Sequence, residues 1–502
     1  MRIISIVLVF LVISTSAQDI NKLADEHIQE NGVQIIQDFK TLLSMPNVAF
    51  DLPNINKNAA HIIKELNKRN VETKLLRMVG TPPIVYGYYP VKGAKRTLAF
   101  YVHYDGQPVD KSKWTNDPWE PVYYSDAMLN GGEPMGFPTK TEDIEENHRI
   151  YARSAGDDKA PIITILTALD MIKANKLKVS SNLVFFFEGQ EEAGSDQLHQ
   201  YLNDNRELVD EIDLWLFCDG PVHQSRKPQL VFGVRGVTGM EITTYGPNRP
   251  LHSGHYGNWA PVPGQLLSEL IASMKDAEGN VIIDGYYDDV EPLSELEKEA
   301  LANIPPIDEE LKKELGINDP EGTDSYNERL LLPSLTIKGL SSGNTGKLAR
   351  NVVPATATAA IGMRLVKGCD PEKQQDLIEA HIRKQGFHIV REDPDQETRL
   401  KYPKIAKVTR SSGYPAARTS MDLPIIQNVI ERSRDVAGED LILLPTLGGS
   451  LPLYLFTDEL EKPAIILPIA NHDNNQHAAD ENLRIGNLWY GIKLMSALMT
   501  MD

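Results

Sequence analysis

The chain has 502 residues, with 70 Asp and Glu against 51 Lys and Arg and a formal charge of −19 at neutral pH. An acidic balance of that size argues against nucleic acid or an anionic membrane surface as the partner, because both would repel it. The length allows two domains with a large core, and the only two cysteines, Cys218 and Cys369, are read as buried apolar residues rather than a disulfide.

In chain order, residues 1–17 have a short basic start, an apolar centre and a small-residue end. That pattern reads as a cleaved signal peptide, so export to a periplasm or the extracellular space is expected. Its apolar part is too short for a membrane span, and no later segment is long and apolar enough for one. The apolar run Leu-Ala-Phe-Tyr-Val at 98–102 ends in His103-Tyr-Asp105-Gly106. Ser154-Ala-Gly-Asp157-Asp158-Lys159-Ala-Pro161 then precedes a stretch of helical character at 162–171. Asp157 or Asp158 thus falls at a helix N-terminus, where a simple capping aspartate would also fit.

The run at 183–187 delivers Glu191 and Glu192, just past Glu188, to the end of a buried strand. Adjacent carboxylates there repel each other and lose hydration, which calls for a metal, a shared proton or a basic partner. Residues 214–218 end in Asp219, and residues 464–467 precede a polar segment carrying His472 and His477. Apolar runs alternating with helix-period segments predict a mostly parallel sheet covered on both faces. Ligands in such sheets bind beyond the carboxyl ends of the strands, where His, Asp and Glu converge here.

A second strand system begins at 231–236, and residues 239–245 alternate as a half-exposed strand. A Gly-rich loop containing His252 follows, then helical stretches at 263–274 and 373–384 and strands at 335–337 and 356–365. This is an α+β domain over residues 234–409, interrupted by a Glu/Pro/Asp-rich insertion at 284–328 of solvated helical character. The flanking segments 18–233 and 410–502 form the α/β catalytic domain. The glycine-rich turn at 446–452 follows the apolar run 441–444, which puts the amides of Gly449 and Ser450 at a cleft.

With these motifs the chain resembles the M20 metallopeptidases, the family of carnosinases and cytosolic nonspecific dipeptidase. The resemblance implies a di-metal catalytic domain with an inserted lid that also dimerises. It makes His103, Asp157 and Asp219 the ligands of one ion and Asp157, Glu192 and His477 those of the other, with His477 preferred over His472. Asp105 becomes the carboxylate supporting His103, and Glu191 the general base acting on a hydroxide between the ions. The Asp157–Asp158 peptide is implied to be cis. His252 is implied to reach the partner subunit's site in a homodimer and stabilise the oxyanion, Arg364 to bind a substrate carboxylate, and Asn351 to make a polar substrate contact. A His and carboxylate donor set without thiolate suits two Zn²⁺ ions, with Mn²⁺ or Co²⁺ as alternatives. The expected activity is dipeptide hydrolysis; an N-acyl-amino-acid deacylase, or an inactive binding protein on the same fold, is the competing reading.

Overall fold

The computed structural model describes residues 17–501, so the signal-peptide segment lies outside the described residues except Ala17, which opens the helix Ala17–Leu43. The chain forms two compact units. The first comprises residues up to Leu230 together with Leu423–Leu441 and Ile466–Asp502; the second comprises Val231–Asp422 and Ile442–Ile465. Residues 231–233, 410–422 and Ile442–Ile465, expected in the flanking catalytic segments, thus belong to the second unit.

In the first unit, Glu72–Leu76, Ile84–Tyr89, Asn182–Glu188, Thr97–His103 and Leu214–Phe217 lie side by side in that order. The three strands that carry site residues run parallel, with Thr97–His103 at the centre of the trio. Every residue of Thr97–His103 is buried, as a strand covered on both faces requires. Register pairs His103 with Glu188, so two of the predicted strand ends finish level. The helix Lys159–Asn175 packs against the helices Ala17–Leu43 and Ile485–Met499. This explains why its surface is apolar nearly all round rather than along one stripe. A four-stranded antiparallel sheet, ordered Asn482–Arg484, Arg149–Tyr151, Val122–Tyr124, Pro134–Met135, brings the C-terminal segment beside the chain that leads into Ser154.

The second unit holds a five-stranded sheet in the order Ser334–Ser341, Thr356–Leu365, Gly236–Tyr245, Ile405–Arg410, His388–Val390. Thr356–Leu365 alternates buried and more exposed residues, the pattern of a sheet with one wetted face. Its covered face packs under the helices Pro263–Ala272 and Pro371–Lys384 around Met240, Ile242, Leu267, Ile361 and Ile378. The insertion contains three short helices, Glu295–Ala302, Asp308–Leu315 and Tyr326–Leu330. Cys218 and Cys369 are both free and buried, each in its own unit.

Candidate metal centre

Five of the predicted side chains meet in the first unit. Ligand atoms of His103, Asp157 and Asp219 lie within 4.8 Å of one another, as do those of Asp157, Glu192 and His477, so Asp157 belongs to both groups. His103 Nε2 is 2.8 Å from Asp157 Oδ1 and 4.0 Å from Asp219 Oδ2. His477 Nε2 lies 3.1 Å from Asp157 Oδ2 and 3.2 Å from Glu192 Oε2. His472 joins neither group among the described residues.

The local backbone explains the convergence. Asp158 is the N-cap residue of the helix Lys159–Asn175, yet its side chain makes no capping bond; its Oδ2 accepts the His103 amide at 3.3 Å. The Asp157–Asp158 peptide is cis, as the resemblance implied. Asp105 is fully buried and works in three directions. Its Oδ1 stands 3.5 Å from His103 Nδ1, Oδ1 also accepts the Glu191 amide at 3.1 Å, and Oδ2 accepts the Glu192 amide at 3.0 Å. One carboxylate therefore orients the histidine and fixes the turn that presents both glutamates. Gly106 follows because a Cβ there would come 2.2 Å from Ser154 Oγ.

Charge is crowded at this point. Burial and the neighbouring Asp157 charge push Asp219 up to about 6. Burial also drives Glu191 well above the usual carboxylate range, with the charges of Asp219, Asp157 and Glu192 adding to it against His103. Asp157 stays ionised despite its burial because His103 and His477 donate to it. Hydrogen bonds to Asp157 and Glu192 hold the His477 imidazole up to about 10. The acids are thus balanced by protons on histidines, with Asp157 Oδ2 buried and His477 Nε2 3.1 Å from it. A donor set of two imidazoles and three carboxylates, all converging within 4.8 Å in two groups that share Asp157, fits divalent cations. Because a cation must displace the imidazolium proton, Zn²⁺ affinity should keep rising with pH beyond the usual imidazole range. Competition with a chelator at stepped pH, together with proton release in weak buffer, measures this; an affinity flat above pH about 7 would contradict it.

Glu191 belongs to neither ligand group, and its Oε2 is 4.0 Å from His103 Nε2. It thus stands beside the two ligand groups without belonging to either.

Several supporting residues are not singled out by sequence motifs. Glu481 is fully buried; Oε1 accepts the amides of Gly156 and Asp157 at 2.9 Å each. Its Oε2 accepts the Ser154 amide at 2.9 Å and Arg153 Nη1 at 2.6 Å. Lys159 is buried with Nζ donating to the carbonyls of Leu42 and Met45 at 2.9 and 2.8 Å. Gln107 Nε2 donates to Glu192 Oε2 at 2.7 Å. No local pattern marks Glu481, because its partners Arg153, Ser154, Gly156 and Asp157 lie more than three hundred residues away in sequence. Glu481→Ala should destabilise the chain by about 3–5 kcal/mol, since it strands the buried Arg153 charge and three amides. Chemical denaturation reads this, and a change under about 1 kcal/mol would show that the clamp is not needed.

The remaining predicted residues lie in the second unit, in two groups. The bridge pairing Leu251 with Val353 and His252 with Val352 brings His252 close to Asn351, whose carbonyl accepts the Ser253 amide at 3.0 Å. His252 is exposed, its Nδ1 accepting the Gly254 amide at 3.1 Å. In the other group, Arg364 Nη1 donates to Ser450 Oγ, and the Gly449 carbonyl accepts the Arg235 amide at 3.0 Å.

Residues 99–501 match the family described as Peptidase family M20/M25/M40. The chain is 25% identical to the Cys-Gly metallodipeptidase dug1 of Schizosaccharomyces pombe, over 93% of this chain and 95% of that protein. It is 25% identical to the Beta-Ala-His dipeptidase of Mus musculus, over 83% and 79% of the two chains. Among solved structures, an M20 family metallo-carboxypeptidase, Sso-CP2 of Sulfolobus solfataricus, shares 27% identity with a TM-score of 0.72, covering 93% of this chain and 98% of that one. These relatives correct one expectation. Similarity to the Cys-Gly metallodipeptidases of Schizosaccharomyces pombe, Candida albicans and Saccharomyces cerevisiae goes against the expectation of a secreted protein with a signal peptide. The apolar start was read from local composition alone. Among the described residues no helix is long and apolar enough to cross a membrane.

Proposed function

The chain belongs to peptidase family M20/M25/M40, and from that premise we propose that it is a two-metal dipeptidase that hydrolyses the amide bond of short peptides bearing a free C-terminal carboxylate. The observation that carries this reading is the sharing of Asp157 by both ligand groups, with the unshared Glu191 beside them. His103, Asp157 and Asp219 would hold one ion and Asp157, Glu192 and His477 the other, Zn²⁺ fitting the donors and Mn²⁺ or Co²⁺ serving as alternatives. Bound ions would supply Lewis-acid polarisation of the scissile carbonyl. Glu191 takes the proton of the attacking water and returns it to the leaving amine. Asp105 keeps the His103 ring and the Glu191–Glu192 turn in place while this happens.

In this reading Arg364, with Ser450 and the Gly449 backbone, grips the substrate carboxylate, its planar fork suiting a bidentate contact. Asn351 offers a further polar contact. The unit containing Val231–Asp422 is the lid and dimerisation domain. Support for a homodimer comes from the apolar surface near the His252 loop, where Trp259 is 80% and Leu348 70% exposed. A two-fold interface would let each His252 serve the partner's oxyanion.

The test is reconstitution of metal-free protein with Zn²⁺, Mn²⁺ or Co²⁺, assayed on a free-amine dipeptide and its N-acetyl analogue. Metal-dependent cleavage of the free-amine form is expected; preference for the acylated form would point to a deacylase. His252→Ala should lower turnover by about 10²–10³-fold with metal retained. Mixing it with Glu191→Gln subunits should restore activity in hybrid dimers. A mixture that stays inactive despite verified subunit exchange rejects the action of His252 on the partner's site.

A further inference from the structure

Arg235 lies between the strands Gly233–Val234 and Gly236–Tyr245 and is 6% exposed. Its backbone is zipped to the glycine-rich loop: Leu447 donates to the Gly233 carbonyl at 2.8 Å, Val234 bridges Leu447, and the Arg235 amide donates to the Gly449 carbonyl at 3.0 Å. Its side chain turns the other way. Nη2 donates to the Leu332 carbonyl at 2.8 Å and approaches the Arg364 carbonyl at 3.5 Å, while Nε is buried without a partner. Arg235 therefore joins the two pieces of chain that carry Ser450 and Arg364.

The charge balance around it is unusual. Among the described residues neither Arg235 nor Arg364 makes an ion pair, and burial followed by the Arg364 charge lowers Arg235 to about 10. The helix Tyr326–Leu330, which ends the insertion, closes this place. Leu330 lies within 3.3 Å and the Tyr326 hydroxyl within 3.9 Å of where a Cβ on Gly448 would stand, and Tyr326, Leu330 and Arg235 line one cavity of about 240 Å³. Lys275, Glu321 and Arg329 also line that cavity, but the buried Arg235 guanidinium and the exposed Arg364 beside it have no carboxylate of their own, which leaves room for an anion at Arg364.

We propose that Arg235 is a positioning residue for carboxylate recognition, holding Arg364 and the Gly449–Ser450 loop in register and adding a second positive charge behind them, so that the site takes peptides by their C-terminal carboxylate. This rests on the reading of Arg364 as the carboxylate-binding group. It also gives the end of the insertion a role, as a wall of the cavity that Arg235 lines.

The test uses the full-length, metal-loaded protein with one dipeptide as free acid and as C-terminal amide, read as KM or, where turnover is slow, as an inhibition constant. Arg235→Met should raise the free-acid KM about tenfold, the loss of one charge-assisted interaction, with kcat within about threefold and the amide unaffected. Arg235→Lys, which restores the charge, should recover most of the loss. If the Met variant does not fold, Arg235→Gln, which keeps a donor for the Leu332 carbonyl, gives the same readings. Equal loss on acid and amide, or no loss on either, overturns the proposal. Arg364→Met is run alongside. If it shows the acid-selective loss and the Arg235 variants do not, only the present proposal fails; if Arg364→Met shows no acid-selective loss, the reading of Arg364 fails and the present proposal fails with it.

Discussion

Replacing Glu191 by Gln is expected to lower turnover by about 10²–10⁴-fold while the protein keeps its metal. The substitution preserves size and polarity and removes only the carboxylate that accepts the proton. Glu191 lies outside both ligand groups, so its loss should leave the His103, Asp157, Asp219, Glu192 and His477 donors intact. Burial first of all raises its pKa above the usual carboxylate range, the direction that makes a carboxylate a stronger base. Metal content by elemental analysis and turnover on a dipeptide are measured on the same sample. A variant with more than about a tenth of parental activity could not have lost a general base of that magnitude.

Asp157→Ala should be more severe, because one carboxylate serves both ligand groups. Both ions should be lost together, and with them all hydrolysis above background. The change also leaves His103 and His477 without the acceptor at 2.8 and 3.1 Å that each now has. Conservative Asp157→Asn keeps the volume and tests the charge alone; it too should bind metal poorly. Retention of a full metal complement in the Ala variant would move the shared position elsewhere, with Asp158 the neighbouring carboxylate to examine.

Much of this site was legible because its carriers are local patterns. The apolar runs ending at His103, Glu188 and Asp219 are buried strands with level ends, and strand polarity alone directs those residues to one rim. Thr356–Leu365 was legible to the residue because its alternation matches one wetted face. Glu481 was not, since its meaning depends on the antiparallel pairing that brings Asn482–Arg484 beside Arg149–Tyr151, a contact between segments more than three hundred residues apart. Arg235 was hidden for the same reason: its partners Leu332, Arg364 and Gly449 come from three distant segments. Nor could sequence divide the capping role of Asp158 from an acceptor role; only the backbone shows that its carboxylate turns to the His103 amide.

The most direct measurement of the central claim is a titration of metal-free protein with Zn²⁺, following bound metal and hydrolysis of a free-amine dipeptide together. The account predicts two ions per chain, with activity depending on metal and with neither ion retained in Asp157→Ala. A metal-free chain that hydrolyses the peptide at the full rate, or a chain that binds two ions without the involvement of Asp157, would contradict it.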